Sequence, residues 1–333
     1  MKKIKVALIC GGFSSEREVS LKSGAQIARS LTSEKYEVSL IEIAKDGRWL
    51  LSSDSKEINS GEKTLSILPG NTAIAQSDLR GVDVAFLALH GYFGEDGKIQ
   101  SILELLGIPY TGSGVMASAT AMNKAKTNEL AALADLKVPP FIVAHNSKIK
   151  PDFGYPVVVK PNESGSSVGV TIVEKESDLE KALEKALSEG GEAIVQKYIA
   201  GRELTCGVMG NSGRTEILAL PPIEIVSPNK FFDYEAKYTS QETQEICPAP
   251  VDESITRAVQ EVAKKVHVLL GCDGLTRSDF ILDKESNLHF LEINTIPGMT
   301  EASLAPKEAK ALGWSFPDFL DKIITLALER HKK

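Results

Sequence analysis

Two stretches of the chain carry residues whose types and spacing suit chemistry on phosphates. The first pairs Arg277-Ser278-Asp279-Phe280 with Leu291-Glu292-Ile293-Asn294. Alternate residues of a strand share a face, so Arg277 and Asp279 point one way, and so do Glu292 and Asn294. If the two strands pair, three oxygen ligands and a guanidinium converge on one surface. Oxygens of Asp, Glu and Asn suit Mg²⁺, which takes hard ligands and shares its shell with nucleotide phosphates. The alternative is a solvated strand face laced with salt bridges. The second stretch runs from Lys160 to Val170 as KPNESGSSVGV. It follows an apolar run, and such a turn can present backbone N–H groups and hydroxyls to phosphate oxygens, with Lys160 as a point charge. It lacks the GK[ST] ending of a P-loop, so a plain hairpin stays open. Gly298 of Thr295-Ile296-Pro297-Gly298-Met299-Thr300 would give a ligand close access to a backbone N–H, or simply close a Pro-Gly turn.

These residues need a scaffold, and the hydrophobic pattern supplies one. Strands are expected over 5–10, 36–43 and 82–89, with helices over 16–31 and 97–106 between or after them. Alternating strands and helices argue for an open parallel α/β sheet. Its functional loops gather at the carboxyl ends of strands, which here are Gly11-Gly12-Phe13-Ser14-Ser15-Glu16 and the segment from His90 to Gly97. The first is no GxGxxG, so a dinucleotide site has little support. Residues 52–77 are polar and irregular, and read as a loop or weak hairpin. An Ala-rich helix over 117–136 carries Lys124 and Lys126; strands at 141–144, 155–161 and 193–198 and a helix at 178–188 follow. Beyond 200 the pattern is α+β: strands at 204–209, 216–220, 223–226, 275–283 and 288–294, with helices at 254–270 and 316–330. The segment 229–243 is too charged for a core.

With 333 residues, the chain is expected to form two or three domains at about 150 residues each. It holds 38 Lys+Arg against 45 Asp+Glu, a net charge of −7, which discourages a nucleic-acid partner. No apolar run reaches the roughly 18 residues of a membrane span. The N-terminal apolar run, Val6 to Cys10, is too short for a signal sequence and reads as a first strand. Cys10, Cys206, Cys247 and Cys272 stand apart with apolar neighbours, as buried thiols of a reducing compartment do. The five His residues are scattered, against a zinc site.

Taken in order, the motifs resemble those of the D-alanine–D-alanine ligases of the ATP-grasp superfamily. The resemblance spans essentially the whole chain. It rests on GGFSSEREVSLKSG at 11–24, HGYFGEDGKIQSILELLGIPYTGSGVMASATAMNK at 90–124, KPNESGSSVGV at 160–170, FFDYEAKY at 231–238, RSDF at 277–280 and LEINTIPGMTEASL at 291–304. It implies an N-terminal α/β domain over 1–112 and a two-part ATP-grasp fold, central over 113–200 and C-terminal over 201–333. It also implies joining of two D-alanine molecules through an acyl phosphate, with ATP converted to ADP and phosphate, for peptidoglycan precursors. Mg²⁺, or Mn²⁺, is the implied metal, and a cytoplasmic homodimer without membrane or nucleic-acid partners is the implied setting.

By the same resemblance, Glu16 holds the first D-alanine and joins Ser166 and Tyr238 in a network that keeps the loops closed. The segment 229–243 becomes a lid. Lys124, Lys160 and Lys237 meet the phosphates, with Ser167 in the same loop. Gln196, Lys197, Ile199 and Glu203 border adenine and ribose; Gln196 stands where the family often has Glu, so that contact carries no charge. Asp279, Glu292 and Asn294 match the metal ligands, and Arg277 with the Gly298 N–H matches the oxyanion hole. Ser303 and Leu304 match the site of the second D-alanine carboxylate. His90 lies near it, to supply charge, to position the amine, or as a spectator. The intact Glu235-Ala236-Lys237-Tyr238 favours D-alanine over D-lactate or D-serine as second substrate, and the full set of ligands and lysines argues against a non-catalytic nucleotide-binding protein.

Overall fold

The computed structural model describes residues 2–31, 34–52, 63–65, 67–68, 71–72, 79, 81–165, 168–227 and 243–332. The first sheet is built on β1 (Ile4–Gly11), whose apolar run Val6 to Cys10 is buried throughout. β2 (Tyr36–Ile43) pairs with it in parallel, from Ile4 opposite Tyr36 to Gly11 opposite Ile43. β3 (Trp49–Ser52) and β4 (Lys63–Leu65) extend the sheet antiparallel beyond β2, and β5 (Ile67–Leu68) and β6 (Asn71–Thr72) form a separate two-stranded ribbon. β7 (Val84–Leu87) lies parallel on the other side of β1, every residue buried, as a strand covered on both faces requires. The order is β4-β3-β2-β1-β7. Since β1 and β7 are parallel neighbours, the loops leaving their carboxyl ends lie side by side. α1 (Arg17–Ser30) follows the first loop and α2 (Lys98–Leu105) the second.

The expected single helix over 117–136 is instead α3 (Val115–Met122) and α4 (Lys124–Leu133). Asn123 separates them: its backbone is extended and its side chain accepts from the Lys126 N–H. An Asn in this conformation is a strong N-cap, and the cap outweighs the Ala-rich helical pattern on either side.

The second sheet holds β8 (Phe141–Ala144), β9 (Val157–Pro161), β10 (Thr171–Val173) and β11 (Ala193–Lys197) in the order β10-β9-β11-β8, all antiparallel. α5 (Leu179–Gly190) seals it with Leu183 and Ala186 against Val157 and Val159. The third sheet has β12 (Gly201–Asn211), β13 (Leu218–Ala219), β14 (Ile223–Val226), β15 (Gln244–Ile246), β16 (Asp273–Asp283) and β17 (Leu288–Asn294). Its order is β15-β14-β12-β16-β17, with β13 also on β12. α6 (Glu253–Leu269) buries Val259, Ala263 and Val266 against Leu204, Val208, Phe280 and Phe290.

Two more helices close the chain: α7 (Leu304–Ala311), which no sequence pattern announced, and α8 (Phe316–Arg330). Phe319, Leu320 and Ile323 of α8 share one core with Val6, Leu8 and Phe86 of the first sheet. Arg330 completes the join: it donates to Gly112 O at 2.7 Å and to the Tyr110 hydroxyl at 2.8 Å, and pairs with Asp273 at 3.1 Å. The end of α8 is thereby tied both to the margin of the first sheet and to the start of β16. No helix among the described residues is long and apolar enough to cross a membrane.

Candidate active site

β16 and β17 pair as their alternation requires. Arg277 stands opposite Asn294 and Asp279 opposite Glu292, and a register shift falls between Asp279 and Phe280. Such irregularities re-aim side chains at functional edges. The Arg277 guanidinium meets Asp279 twice, Nε to Oδ1 at 3.0 Å and Nη2 to Oδ2 at 2.9 Å. Thr205 on β12 donates to Asp279 Oδ1 at 2.6 Å, and Asn294 Nδ2 donates to Oδ2 at 3.2 Å. Arg277 and Asp279 are only 12% and 10% exposed in their side chains. Burial alone would push the guanidinium down, yet the Asp279 carboxylate beside it raises it above its ordinary value. Two carboxylates and an amide oxygen on one face form a donor set that fits a hard divalent cation. No group of three His, Cys, Asp or Glu side chains among the described residues forms a metal site, so the set depends on the Asn294 amide and on oxygens a ligand would bring.

Glu292 faces two lysines. Its Oε2 lies 3.8 Å from Lys124 Nζ and 3.7 Å from Lys160 Nζ. The backbone brings these lysines together from different elements. Asn162, in the loop after β9, accepts from the Lys124 N–H through its carbonyl at 3.1 Å and from the Ala125 N–H through its side chain at 2.9 Å. The start of α4 is thereby tied to the end of the strand that carries Lys160. Lys124 Nζ also donates to Ser164 O.

The strand hairpin opens onto a cavity of about 210 Å³ lined by Arg277, Asp279 and Asn294 on one side and by Glu16, His90 and Gly165 on the other. Gly298, Ser303, Leu304 and Glu203 complete the part of the lining anticipated from the sequence. A smaller cavity, lined by Lys124, Ser164 and Glu292, shares Glu95, Gly165 and Asn294 with the first. Glu16 sits between two loops: a Cβ at Gly165 would stand 2.6 Å from its Oε2, and one at Gly91 would stand 2.9 Å away. Both loops approach this carboxylate because neither has a side chain there.

His90 is buried between the halves. Its Nδ1 donates to Ile296 O at 2.9 Å, and Nε2 accepts from the Ser23 hydroxyl at 3.3 Å. Burial, reinforced by the Arg277 charge, pushes the imidazole down to about 4, so it is neutral near pH 7. A neutral imidazole favours a positioning or spectator role over supply of positive charge.

Gln196, Lys197 and Ile199 lie on or just after β11, outside the lining of the main cavity. Gln196 is buried, and its Nε2 has no hydrogen-bond partner among the described residues. Ser166, Ser167, Lys237 and Tyr238, with the segment 228–242, lie outside the described residues.

Glu95 was not anticipated. Buried in the loop after β7, it accepts from the Gly91 N–H at 2.9 Å and from the Ile296 N–H at 2.8 Å. Burial raises its carboxyl; those N–H groups and the Arg277 charge hold the rise back. It joins the first sheet's loop to the turn after β17. Its own segment, GEDG, was visible in the sequence, but its second partner lies 201 positions away, which no local pattern reports.

The chain matches the family models for the D-ala D-ala ligase N-terminus over residues 5–113 and the D-ala D-ala ligase C-terminus over residues 133–325. It is 40% identical to a D-alanine–D-alanine ligase of Pelotomaculum thermopropionicum, covering 98% of this chain and 97% of that protein. It is 42% identical to one of Desulfotalea psychrophila, over 99% and 97%. Among solved structures, the VanG D-Ala:D-Ser ligase of Enterococcus faecalis aligns with TM-score 0.86 at 32% identity, over 98% of this chain and 100% of that one. The ATP complex of the D-alanine–D-alanine ligase of Bacillus anthracis aligns with TM-score 0.77 at 30% identity, over 98% of each chain. The fold is that of the ATP-grasp ligases, and by sequence and structure alike the chain belongs to the D-alanine–D-alanine ligase family.

Proposed function

We propose that this chain joins two D-alanine molecules at the cavity between its sheets, with ATP as the source of energy. The observation that carries the reading is a juxtaposition. Lys124 and Glu292 border a small cavity, with Lys160 3.7 Å from Glu292; that cavity shares Asn294 with a larger one lined by Glu16, Arg277, Gly298 and Ser303. Cationic and hard-oxygen groups for phosphates thus adjoin a compartment with a carboxylate for an ammonium and donors for a carboxylate.

In this reading Lys124 and Lys160 hold the nucleotide phosphates. Asp279, Glu292 and Asn294 hold Mg²⁺, which when bound neutralises charge on the phosphates. Glu16 takes the ammonium of the first D-alanine and leaves its carboxylate free to attack the γ-phosphate, with ADP departing. The amine of the second D-alanine then attacks the acyl carbon, loses a proton, and displaces phosphate. Arg277 and the Gly298 N–H face the oxyanion of that tetrahedral species. Ser303 and Leu304 begin α7, where free backbone N–H groups suit the second carboxylate. His90, neutral, orients the Ile296 turn rather than supplying charge. The buried Nε2 of Gln196, which has no partner among the described residues, supports a contact with the adenine edge, flanked by Lys197, Ile199 and Glu203. Ser166 and Ser167 of the loop, with Lys237 and Tyr238 of the lid, complete the reading. It treats 1–112, 113–200 and 201–333 as three domains of a cytoplasmic homodimer that supplies peptidoglycan precursors.

The likeness to a D-Ala:D-Ser ligase makes D-serine the pertinent competitor. A coupled assay of ADP release with D-alanine alone, then with added D-serine or D-lactate, separates the readings. Dipeptide from D-alanine alone is expected, and a clear preference for either competitor as second substrate would overturn the choice.

A further inference from the structure

Glu308 lies fully buried on α7, one turn beyond Leu304. Both of its carboxylate oxygens accept from the Gly207 N–H, each at 3.0 Å. The Gly207 carbonyl accepts from the Leu220 N–H at 2.8 Å. Both polar groups of Gly207 thus turn away from β16, where Gly207 stands opposite Arg277. The two residues form a non-hydrogen-bonded antiparallel pair, the arrangement that brings opposite side-chain positions closest together. Gly207 has no side chain to fill its position. A Cβ there would stand 2.4 Å from Glu308 Oε2, so the carboxylate occupies that space itself.

The sheet leaves this N–H in need of an acceptor. β14 pairs with Glu203 to Thr205 and β13 with Val208 and Met209, so the strand alongside β12 is broken at Gly207. A buried N–H without a partner costs free energy, and a side chain must supply what the missing strand does not.

We propose that Glu308 is a positioning residue for Arg277: seated in the cross-strand slot that Gly207 leaves empty, it holds the guanidinium toward the reaction cavity and fixes the Ser303–Leu304 end of α7 to β12. Asp279 grips the guanidinium along its own strand, and Glu308 fills the Cβ position of Gly207, directly opposite Arg277 on β12. Burial pushes the Glu308 carboxyl well above its ordinary value, and the Gly207 N–H and the Arg277 charge offset only part of that rise. The inference rests on the reading of Arg277 as the oxyanion donor.

Glu308→Gln tests it, because the amide keeps the volume and an acceptor for Gly207 but puts an NH2 donor in place of one carboxyl oxygen. A thermal midpoint and a KM for ATP equal to wild type are expected, with kcat lowered roughly tenfold, as for loss of a group that aligns a catalytic donor. Glu308→Ala, well suited to a helix, provides a second route and is expected to lose kcat at least as far and to raise KM for the second D-alanine. Wild-type kcat in either folded variant overturns the proposal. A parallel comparison of kcat drops for Arg277→Lys and for the double variant Arg277→Lys/Glu308→Gln is expected to be non-additive; full additivity overturns it too. Absence of D-alanine turnover in the unaltered protein would instead be the failure of the functional reading, and is recorded before any variant is compared.

Discussion

The guanidinium of Arg277 grips the carboxylate of Asp279, two residues further along the same strand, through parallel hydrogen bonds of 3.0 and 2.9 Å. The pair is a consequence of the two-residue period of a strand, and it orients an arginine that reads as the oxyanion donor. Arg277→Lys keeps the charge but loses the planar fork. A fall in kcat of roughly 10² to 10³, about 3 to 4 kcal/mol, is expected in the coupled ADP assay. Near-normal kcat would remove Arg277 from the transition state.

Glu292 is the only carboxylate among the described residues placed against both Lys124 and Lys160. Chelation of divalent metal with EDTA is expected to abolish turnover and added Mg²⁺ to restore it. Glu292→Gln is expected to raise the Mg²⁺ concentration for half-maximal activity by roughly tenfold or more. A magnesium titration identical to wild type would reassign Glu292 to the lysines alone.

His90 and His267 are both buried and both pushed by burial to about 4 from 6.5. A lowered histidine costs nothing above 6.5, where both folded and unfolded forms are neutral. As pH falls from 6.5 toward 4 only the unfolded chain takes up the proton, so stability drops. At pH 5 each contributes a loss of about 2 kcal/mol. Buried Glu95 works in the opposite direction, because its raised carboxyl takes up a proton first in the folded state. The effect is therefore read as a difference. His267→Gln, which can still accept from Thr276 and donate to Gly210 O, is expected to lose less of its urea midpoint between pH 7 and 5 than wild type. Equal losses would show that His267 is protonated in the fold.

Arg330 is 9% exposed in its side chain and joins α8 to Asp273, Gly112 and Tyr110. Arg330→Ala strands the Asp273 carboxylate, and breaking a buried pair in this way costs about 3 kcal/mol or more. A lowered urea midpoint is expected, and an unchanged midpoint would make the cluster dispensable.

The sequence by itself determined the elements that repeat with a clean period. β2, β8, β14, β17 and α8 begin and end where the pattern places them, because alternating or helical apolar spacing is a property of a few adjacent residues. It also put Arg277, Asp279, Glu292 and Asn294 on shared faces, which needs only that strands alternate. What it could not give was any contact whose partners are far apart in the chain. The break of the Ala-rich helix at Asn123 depends on one cap, and the loop of Asn162 that receives the helix start comes from another sheet. The neutrality of His90 follows from burial between Ile296 and Ser23, and the places of Glu95 and Glu308 follow from backbone N–H groups that find their acceptor in these distant carboxyls. Local periodicity is written in neighbouring residues. Desolvation and the pairing of distant polar groups arise only when the sheets pack, and it is packing that turned a set of suitable residues into one site.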